Sequence, residues 1–297
     1  MPDSWLSSVP GIREHEPLAA HSWYRIGGTA QYFLELSDEA MLPGLISRLT
    51  RDRIPYLPIG AASNTLFGTG EVPGLIIKLA AERWSVEGEF LHTSAGTLMP
   101  RLALEAARAG RAGLEFGAGI PGSVGGSVFG NAGAFGREVQ DALATVDVLD
   151  SQGRRQRLDN TACQFAYRDS LFKRGRPGCL ILSATFNSTP DDPERVRARL
   201  KEVQKHRRET QPIDKRSLGS TFKNPPGDSA GRLVEAAGLK GRRIGAAEIS
   251  RKHANFIVNL GGATADDVLA LMAEMRDRVR DQFGIVLEAE VRVVGAG

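Results

Sequence analysis

The chain has 297 residues and a formal net charge of +3, with 41% hydrophobic and 25% charged residues. This length allows two domains, and the composition is that of a globular protein with a sizeable core. The small positive charge suits an anionic small molecule and is too weak to indicate nucleic acid. No apolar run approaches the ~20 residues that span a bilayer, and the N-terminus lacks a secretory signal pattern. We therefore expect a cytoplasmic protein that contacts no membrane.

The first half of the chain alternates strand and helix patterns. Apolar residues at helical spacing predict helices over Asp38–Arg51 and Thr97–Ala109. Strands are predicted over Gln31–Leu36, Tyr56–Ile59, Gly74–Leu79, Trp84–Val86, Phe90–Thr93, Thr145–Leu149 and Cys179–Phe186. Together these elements predict an α+β arrangement with a mixed sheet.

A composition change at residues 187–193 (NSTPDDP) predicts a domain boundary. The second half then reads as an α/β unit of roughly a hundred residues, a normal domain size. Asp228 is the predicted N-cap of the short helix that starts at Ser229, and Gly284 is predicted to end the long helix that starts at Thr264. Helices are predicted over Arg195–Arg208, over Ser229–Ala237 and from Thr264 to Gly284, and strands over Phe256–Asn259 and Ile285–Val294.

The cysteines and the basic helix predict neither a metal site nor a nucleic-acid site. Cys163 and Cys179 have no metal-binding or redox spacing, so we expect two reduced thiols and no metal. The helix over Arg195–Arg208 has no interleaved aromatic residues, which indicates a solvated face. Only Arg208, at its end, is a candidate for contact with a cofactor or a diphosphate.

Glycine is concentrated in the stretch from 117 to 136, where eight of twenty residues are glycine. Ordering a glycine in regular structure costs roughly 0.5–1 kcal/mol relative to alanine, so the stretch needs a physical reason. Two turns, Ile59–Leu66 (IGAASNTL) and Gly119–Gly126 (GIPGSVGG), match neither a lysine-containing phosphate loop nor a Rossmann fingerprint. Successive bare amides bind phosphate oxygens without a lysine, so two such turns predict a cradle for one diphosphate. The alternative is a pair of tight turns at crowded strand ends.

Seven motifs in order carry a resemblance to a known family. They are YRIGGTA (24–30), IGAASNTL (59–66), GLEFGAGIPGSVGGSVFGNAGAFG (113–136), FAYRDSLFK (165–173), GSTFKNP (219–225), HANFIVN (253–259) and LEAEVRVVG (287–295). From about Glu16 onward, the chain closely resembles the UDP-N-acetylenolpyruvoylglucosamine reductases, flavoenzymes of peptidoglycan precursor synthesis that complete UDP-N-acetylmuramate.

The resemblance implies an FAD-binding domain of the vanillyl-alcohol-oxidase-like (PCMH-type) fold over 16–190, built from two α/β subdomains. It implies an α/β substrate-binding domain over 194–297, whose last strand returns to the active site. It also implies bound FAD, NADPH as co-substrate and UDP-N-acetylglucosamine enolpyruvate as substrate. We expect a monomer, and the sequence leaves an oligomer open.

Three catalytic residues are implied by the resemblance. Arg168 of AYRDS matches the arginine that faces the substrate carboxylate, a role that suits a forked guanidinium; from the residues alone, it would be a surface arginine paired with Asp169. Ser220 of GSTFKNP matches the proton donor and would otherwise be a turn serine. Glu290 matches the glutamate that completes the trio. A strand period of two also places Glu288 on the same solvent-facing side, so this choice rests on the motif register.

The same motif matches imply the remaining contacts. Sugar-nucleotide contacts are implied at Tyr167, Lys223, Asn224 and His253, although a lone histidine is usually structural. FAD contacts are implied at Gly60, Ala61, Ala62, Ser63, Asn64, Gly119, Ile120, Gly122, Ser123, Gly125, Gly126, Arg208 and Arg292.

The chain departs from the family pattern in three places. The turn that usually reads G-G-G-S-N contains Ala61 and Ala62 here. Because alanine disfavours positive φ, either FAD binding is weakened or these positions need no left-handed geometry. Ala289 replaces a common proline and loosens the predicted last strand. The segment 168–179 has no room for the tyrosine-bearing loop of the long form, so the chain resembles the short form.

Two other functions stay open on sequence alone. A flavin oxidase or dehydrogenase on the same FAD scaffold predicts oxygen consumption with another donor, and it leaves GSTFKNP without a role. A non-catalytic sugar-nucleotide binding protein would lack the yellow colour and the absorbance near about 450 nm of a flavoprotein.

Overall fold

The structure is a computed structural model that describes residues 4–175 and 179–295. Expectations that involve residues 1–3 at the chain start, or residues 176–178 within the segment 168–179, lie outside the described residues. The α-helices of the described part are α1 Leu42–Arg51, α2 Met99–Arg108, α3 Val124–Phe129, α4 Leu171–Arg174, α5 Pro193–Thr210, α6 Ala230–Ala236 and α7 Ala265–Phe283.

Most strands are short, and the sheets are built from them and from a few longer ones. The strands are β1 Ile12–Pro17, β2 Thr29–Leu36, β3 Tyr56–Ile59, β4 Thr65–Phe67, β5 Glu71–Leu79, β6 Trp84–Glu87, β7 Phe90–Ser94, β8 Arg111–Ala112, β9 Gly133–Ala134, β10 Arg137–Glu138, β11 Leu143–Leu149, β12 Arg155–Asp159, β13 Leu180–Asn187, β14 Thr189–Pro190, β15 Arg216–Ser217, β16 Arg243–Ile244, β17 Ala247–Ile249, β18 Ile257–Asn259 and β19 Arg292–Val294. Short 3₁₀ helices lie at Leu6–Ser8, Leu18–His21, Glu115–Gly119, Val139–Asp141 and Thr161–Cys163.

The chain folds into two compact units. The first comprises the described residues up to 14, 31–61 and 73–205, and the second comprises 15–30, 62–72 and 206 onward. The predicted domains, 16–190 and 194–297, are uninterrupted stretches, whereas the second unit includes two N-terminal segments. Tyr24 lies in one of them and is fully buried, and its hydroxyl donates to the Ile257 carbonyl at 3.1 Å. Such long-range contacts leave no trace in local composition.

Two sheets and two amphipathic helices build the first unit. One sheet has the order β1-β2-β5-β3, with β3 parallel to β5, and the other is antiparallel with the order β12-β11-β13-β7-β6. The apolar faces of α1 and α2 supply Ile46 and Leu102 to the core, and strand β11 supplies Val146; all three are fully buried. Parallel and antiparallel strand pairs therefore both occur in the first unit.

An antiparallel sheet of order β15-β18-β17-β16 and the helices α6 and α7 build the second unit. Thr264 and Asp267 form a capping box at the start of α7, and Gly284 ends the helix at φ +69°. Both ends were predicted. No helix in the described part of the chain is long and apolar enough to cross a membrane.

Two local predictions are wrong. Ser229, not Asp228, caps α6, because its hydroxyl accepts from the Arg232 amide at 3.2 Å while the Asp228 carboxylate binds the Arg232 guanidinium. The predicted strand Ile285–Val294 is regular only in β19. Residues 285–291 leave the ladder because the amides of Glu290 and Val291 both donate to one carbonyl, that of Thr221.

Candidate active site

The two glycine-containing turns meet in the first unit, at Gly60 and Ser123. A Cβ at Gly60 would collide with the Ser123 hydroxyl and lie 2.8 Å from the Ser123 Cβ, so only glycine permits this approach. Ser123 caps α3, and its hydroxyl accepts from the Gly126 amide at 3.3 Å. The contact between the turns is the arrangement that a shared cradle requires.

Amides of the first turn are available to a ligand. Within residues 4–175 and 179–295, the amides of Ala61, Ala62 and Ser63 donate to no protein acceptor. Ala62 has φ +46°, whereas Ala61 is outside the positive-φ region. The departure from the glycine pattern therefore places an alanine in left-handed backbone at one of the two positions, where glycine would be unstrained.

The second turn uses several amides to hold itself together. The amides of Gly122 and Gly125 donate to Ile120 and Ala95 carbonyls, each at 2.9 Å. A Cβ at Gly125 would lie 2.9 Å from the Ala95 Cβ, which explains the glycine by packing. The turn at 119–126 thus uses these amides for its own hydrogen bonds. The unbonded amides of Ala61, Ala62 and Ser63 in the other turn are the better phosphate donors. Successive unbonded amides of this kind bind phosphate oxygens.

Gly60→Ala is expected to weaken FAD binding at least tenfold, because the new methyl must displace Ser123 from the contact between the turns. Titration of the apoprotein with FAD, followed by flavin fluorescence, measures the change. Gly44→Ala is the matched control: nothing lies within 4 Å of a Cβ there, and the site is in α1, so the change is expected to stabilise the helix by roughly 0.8–1.0 kcal/mol. Equal FAD affinity for both variants would contradict the cradle.

Arg168 lies in the first unit, with left-handed backbone at φ +54°. Its Nη2 donates to the Gly133 carbonyl at 2.9 Å, and its Nη1 lies 3.4 Å from Glu138 Oε1. Asp169 instead pairs with Arg174 at 2.7 Å, so the alternative of a surface Arg168–Asp169 pair is wrong. The guanidinium is about four-fifths buried and is held in one orientation.

Ser220 and Glu290 lie close along two paired segments of the second unit. The Glu290 amide donates to the Thr221 carbonyl at 2.9 Å, and the Lys223 amide donates to the Glu288 carbonyl at 2.9 Å. Glu288 is exposed and its carboxylate pairs with Lys223, whereas Glu290 is half-buried. The irregular backbone therefore separates the environments of two carboxylates that a regular strand would have placed on one face.

Asn64 joins the Glu290 segment to the first turn within the second unit. Its side-chain amide donates to the Glu290 carbonyl at 3.0 Å, and its carbonyl accepts from the Arg292 amide at 3.0 Å. Strand β4 runs parallel to β19, with Thr65 opposite Arg292. Desolvation lowers the pKa of Arg292, although part of its side chain is exposed. Asn64 and Arg292, two predicted FAD contacts, are thus neighbours.

The predicted sugar-nucleotide residues differ in environment. Tyr167 is 46% exposed, and the central carbon of the Arg168 guanidinium lies over its ring, 5.2 Å from the ring centroid. Lys223 pairs with Glu288 at 2.6 Å. Asn224 accepts from the Ala230 amide at 3.1 Å, at the start of α6.

His253 packs in the second unit against α6 and Phe256. Its ring centroid is 4.8 Å from that of Phe256, and its Nδ1 accepts from the Asn255 amide at 3.2 Å. A Cβ at Gly231 would lie 2.9 Å from His253 Cε1, so the ring covers the helix at its glycine. Burial, with a smaller effect of the Lys240 charge, lowers the pKa of His253, which favours the neutral ring.

The lowered pKa of His253 predicts a pH-dependent stability. Because the unfolded chain binds the proton more readily, the contribution is complete above the ordinary pKa of about 6.5 and is lost as the pH falls through the folded-state pKa. We expect the melting temperature to fall between about pH 7 and pH 5, and His253→Asn to flatten that slope. Scanning calorimetry across this range measures it; parallel curves for both proteins would contradict the assignment.

The structure adds residues that the motifs did not single out. Glu138 and the carbonyl of the buried Asn131 contact the Arg168 guanidinium, and the Asn131 side chain donates to Glu138. In the sequence, this Asn and this Glu flank the GAFG turn. Arg208 is exposed, whereas the preceding Arg207 is half-buried and donates to Gln211 at 3.0 Å. Successive residues of a helix point about 100° apart, so two adjacent arginines differ in burial. The sequence alone does not show which of the two is exposed.

Comparison with known proteins assigns the class. A family model for an FAD binding domain matches residues 30–159, and one for the UDP-N-acetylenolpyruvoylglucosamine reductase C-terminal domain matches residues 211–294. The chain is therefore a two-domain FAD-binding oxidoreductase. Proteins named UDP-N-acetylenolpyruvoylglucosamine reductase from Rhodopseudomonas palustris strain HaA2 and Rubrobacter xylanophilus are 43% and 44% identical to it, over 97% and 96% of this chain and 94% and 96% of theirs. The chain belongs to the UDP-N-acetylenolpyruvoylglucosamine reductase family.

A solved structure supports the same assignment. The crystal structure of the UDP-N-acetylenolpyruvylglucosamine reductase from Thermus caldophilus is 37% identical to this chain, with a TM-score of 0.80 over 95% of this chain and 98% of that one. The predicted family and the predicted α+β fold class with an N-terminal FAD-binding domain are confirmed. No group of three or more His, Cys, Asp or Glu that could hold a metal occurs among the described residues.

Proposed function

We propose that the chain catalyses the NADPH-dependent reduction of UDP-N-acetylglucosamine enolpyruvate to UDP-N-acetylmuramate in peptidoglycan precursor synthesis. The near full-length identity to reductases of that name carries the proposal. When bound, FAD supplies the redox chemistry that connects NADPH to the enolpyruvyl double bond. The unbonded amides at Ala61, Ala62 and Ser63, with Asn64 and Arg292, would hold it.

Arg168 binds the substrate carboxylate in this proposal. Reduction of the double bond develops negative charge on the carbon beside that carboxylate, and a guanidinium that stays charged stabilises it. The fixed orientation of Arg168 supports this role, because a preorganised donor needs no rearrangement as the charge develops.

Ser220 donates the proton that completes the reduction, from its Oγ to the substrate carbon. Serine is a weak acid, so the reaction requires a strongly basic acceptor held within hydrogen-bond reach. Glu290 assists by polarising the acceptor or relaying the proton. Its half-buried position beside the Ser220–Thr221 segment supports it over Glu288, which is exposed.

The domain roles and the setting belong to the same proposal. Residues 16–190 would bind FAD and 194–297 the sugar nucleotide, with contacts to the latter from Tyr167, Lys223, Asn224 and His253. No disulfide involving Cys163 or Cys179 occurs among the described residues, and reduced thiols fit a reducing cytoplasm. We expect a monomer, which size-exclusion chromatography with light scattering measures.

A spectrum followed by an assay tests the function. The purified protein is expected to be yellow, with flavin absorbance near about 450 nm, and to oxidise NADPH when UDP-N-acetylglucosamine enolpyruvate is added. UDP-N-acetylglucosamine, which lacks the enolpyruvyl group, is the control and should give no turnover. Oxygen consumption with another donor would indicate an oxidase. Absence of flavin after loading with FAD would indicate a sugar-nucleotide binding protein.

A further inference from the structure

A buried amide fixes one oxygen of the Glu138 carboxylate. Asn131 is fully buried, and its Nδ2 donates to Glu138 Oε2 at 2.8 Å and to the Ala166 carbonyl at 2.9 Å. Its Oδ1 accepts from the Gln140 amide at 3.0 Å, so both ends of the side chain are engaged. The Gln140 side chain donates to the same Glu138 oxygen at 3.0 Å. Two donors therefore hold Oε2.

The other carboxylate oxygen faces Arg168. Glu138 Oε1 lies 3.4 Å from Arg168 Nη1, and each side chain is about 20% exposed. The Asn131 and Gly133 carbonyls also accept from this guanidinium, at 3.5 Å and 2.9 Å. One edge of the guanidinium is thus bound to one short stretch of chain.

A tight hairpin makes this arrangement possible. Strand β9 pairs with β10, so that Gly133 lies opposite Glu138. A Cβ at Gly133 would lie 2.7 Å from Glu138 Cγ and 3.0 Å from Arg168 Nη1. The Cβ would also lie 2.7 Å from the Arg137 carbonyl oxygen, so the hairpin backbone together with Glu138 and Arg168 explains this glycine of the GAFG turn, independently of any cofactor contact.

We propose that Glu138, held by Asn131 and Gln140, is a positioning residue for Arg168. Glu138 directs the guanidinium and offsets part of its positive charge. The arginine is then more complementary to the negative charge that develops during reduction than to the charge of the resting substrate. The inference rests on the proposed function, because it takes Arg168 to bind the substrate carboxylate. Without the Glu138 charge, the cation attracts a resting carboxylate at least as strongly, but in a less defined geometry.

Glu138→Gln tests the proposal by separating binding from turnover. We expect kcat to fall roughly tenfold to a hundredfold, the scale of a misplaced reacting group, while the dissociation constant for the substrate stays unchanged or decreases. Calorimetry on the FAD-loaded protein without NADPH measures binding, and steady-state assays measure kcat. Asp141→Asn is the matched control. Glu138 and Asp141 form the capping box of the 3₁₀ helix Val139–Asp141, and the Asp141 carboxylate accepts from the Glu138 amide and does not bond Arg168. Its kcat should stay within about threefold of wild type.

A double-mutant cycle separates positioning from general loss of structure. If Glu138 acts through Arg168, then Arg168→Lys combined with Glu138→Gln should be no slower than Arg168→Lys alone. Multiplied losses, or weaker substrate binding in Glu138→Gln, would overturn the proposal. Gln140→Ala, which removes one donor to Oε2 and keeps the charge, should shift kcat in the same direction by less, and it replaces Glu138→Gln if that variant does not fold. An inactive wild type would refute the proposed function instead.

Discussion

Arg168→Lys is expected to lower kcat/KM by roughly 10²–10³, the scale of losing one preorganised donor to developing charge. Lysine keeps the positive charge but cannot reach the Gly133 carbonyl and Glu138 while also presenting two parallel N–H groups to a carboxylate. Steady-state oxidation of NADPH with UDP-N-acetylglucosamine enolpyruvate measures the effect.

Arg174→Lys is the control for that substitution. Arg174 lies six residues further along the same segment and pairs with Asp169, so the same chemical change should leave kcat/KM within about threefold of wild type. Equal losses in the two variants would show that Arg168 acts through local structure rather than through the substrate.

Ser220→Ala is expected to slow turnover by roughly 10²–10⁴, the usual contribution of a positioned general acid. The step that consumes NADPH does not need this proton, so the decay of flavin absorbance on adding NADPH should keep its wild-type rate. Stopped-flow measurement of that decay, and then of the recovery when the substrate is mixed in, resolves the two steps.

Ser217→Ala is the matched control, because Ser217 lies in β15, three residues before Ser220, and pairs through its backbone with Val258. It should be normal in both steps. A Ser220→Ala enzyme that is slow with NADPH but normal with the substrate would contradict the role of proton donor.

Three glycines, two in the glycine-rich stretch and one in the turn at 59–66, are explained by close packing. Gly125 is required by packing against Ala95, and Gly133 is required by the approach of Arg168 and Glu138. Gly60, in the other turn, is required by Ser123. Close packing therefore accounts for these three glycines, and the hypothesis that bare backbone serves the cofactor stays a prediction.

Local elements were predictable because their determinants are local. The Thr264–Asp267 capping box and the left-handed Gly284 define α7 within a single stretch of chain, and β3 follows the apolar pattern of Tyr56–Ile59. The start of the last strand was not predictable, because the amides of Glu290 and Val291, just before β19, bond to the Thr221 carbonyl instead of forming a ladder. Periodicity reports a side-chain pattern and carries no information about that acceptor.

By itself, the sequence determined the family, the α+β class and the identity of the motif residues, since these reside in short ordered patterns. Only the tertiary structure decided the partner of Arg168, which is Glu138 and not the adjacent Asp169. It also decided the different environments of Glu288 and Glu290 and the bond from Asn64 to the Glu290 carbonyl, across 226 positions. The reason is that a hydrogen bond depends on proximity in space, and distant segments reach that proximity only when the whole unit has packed.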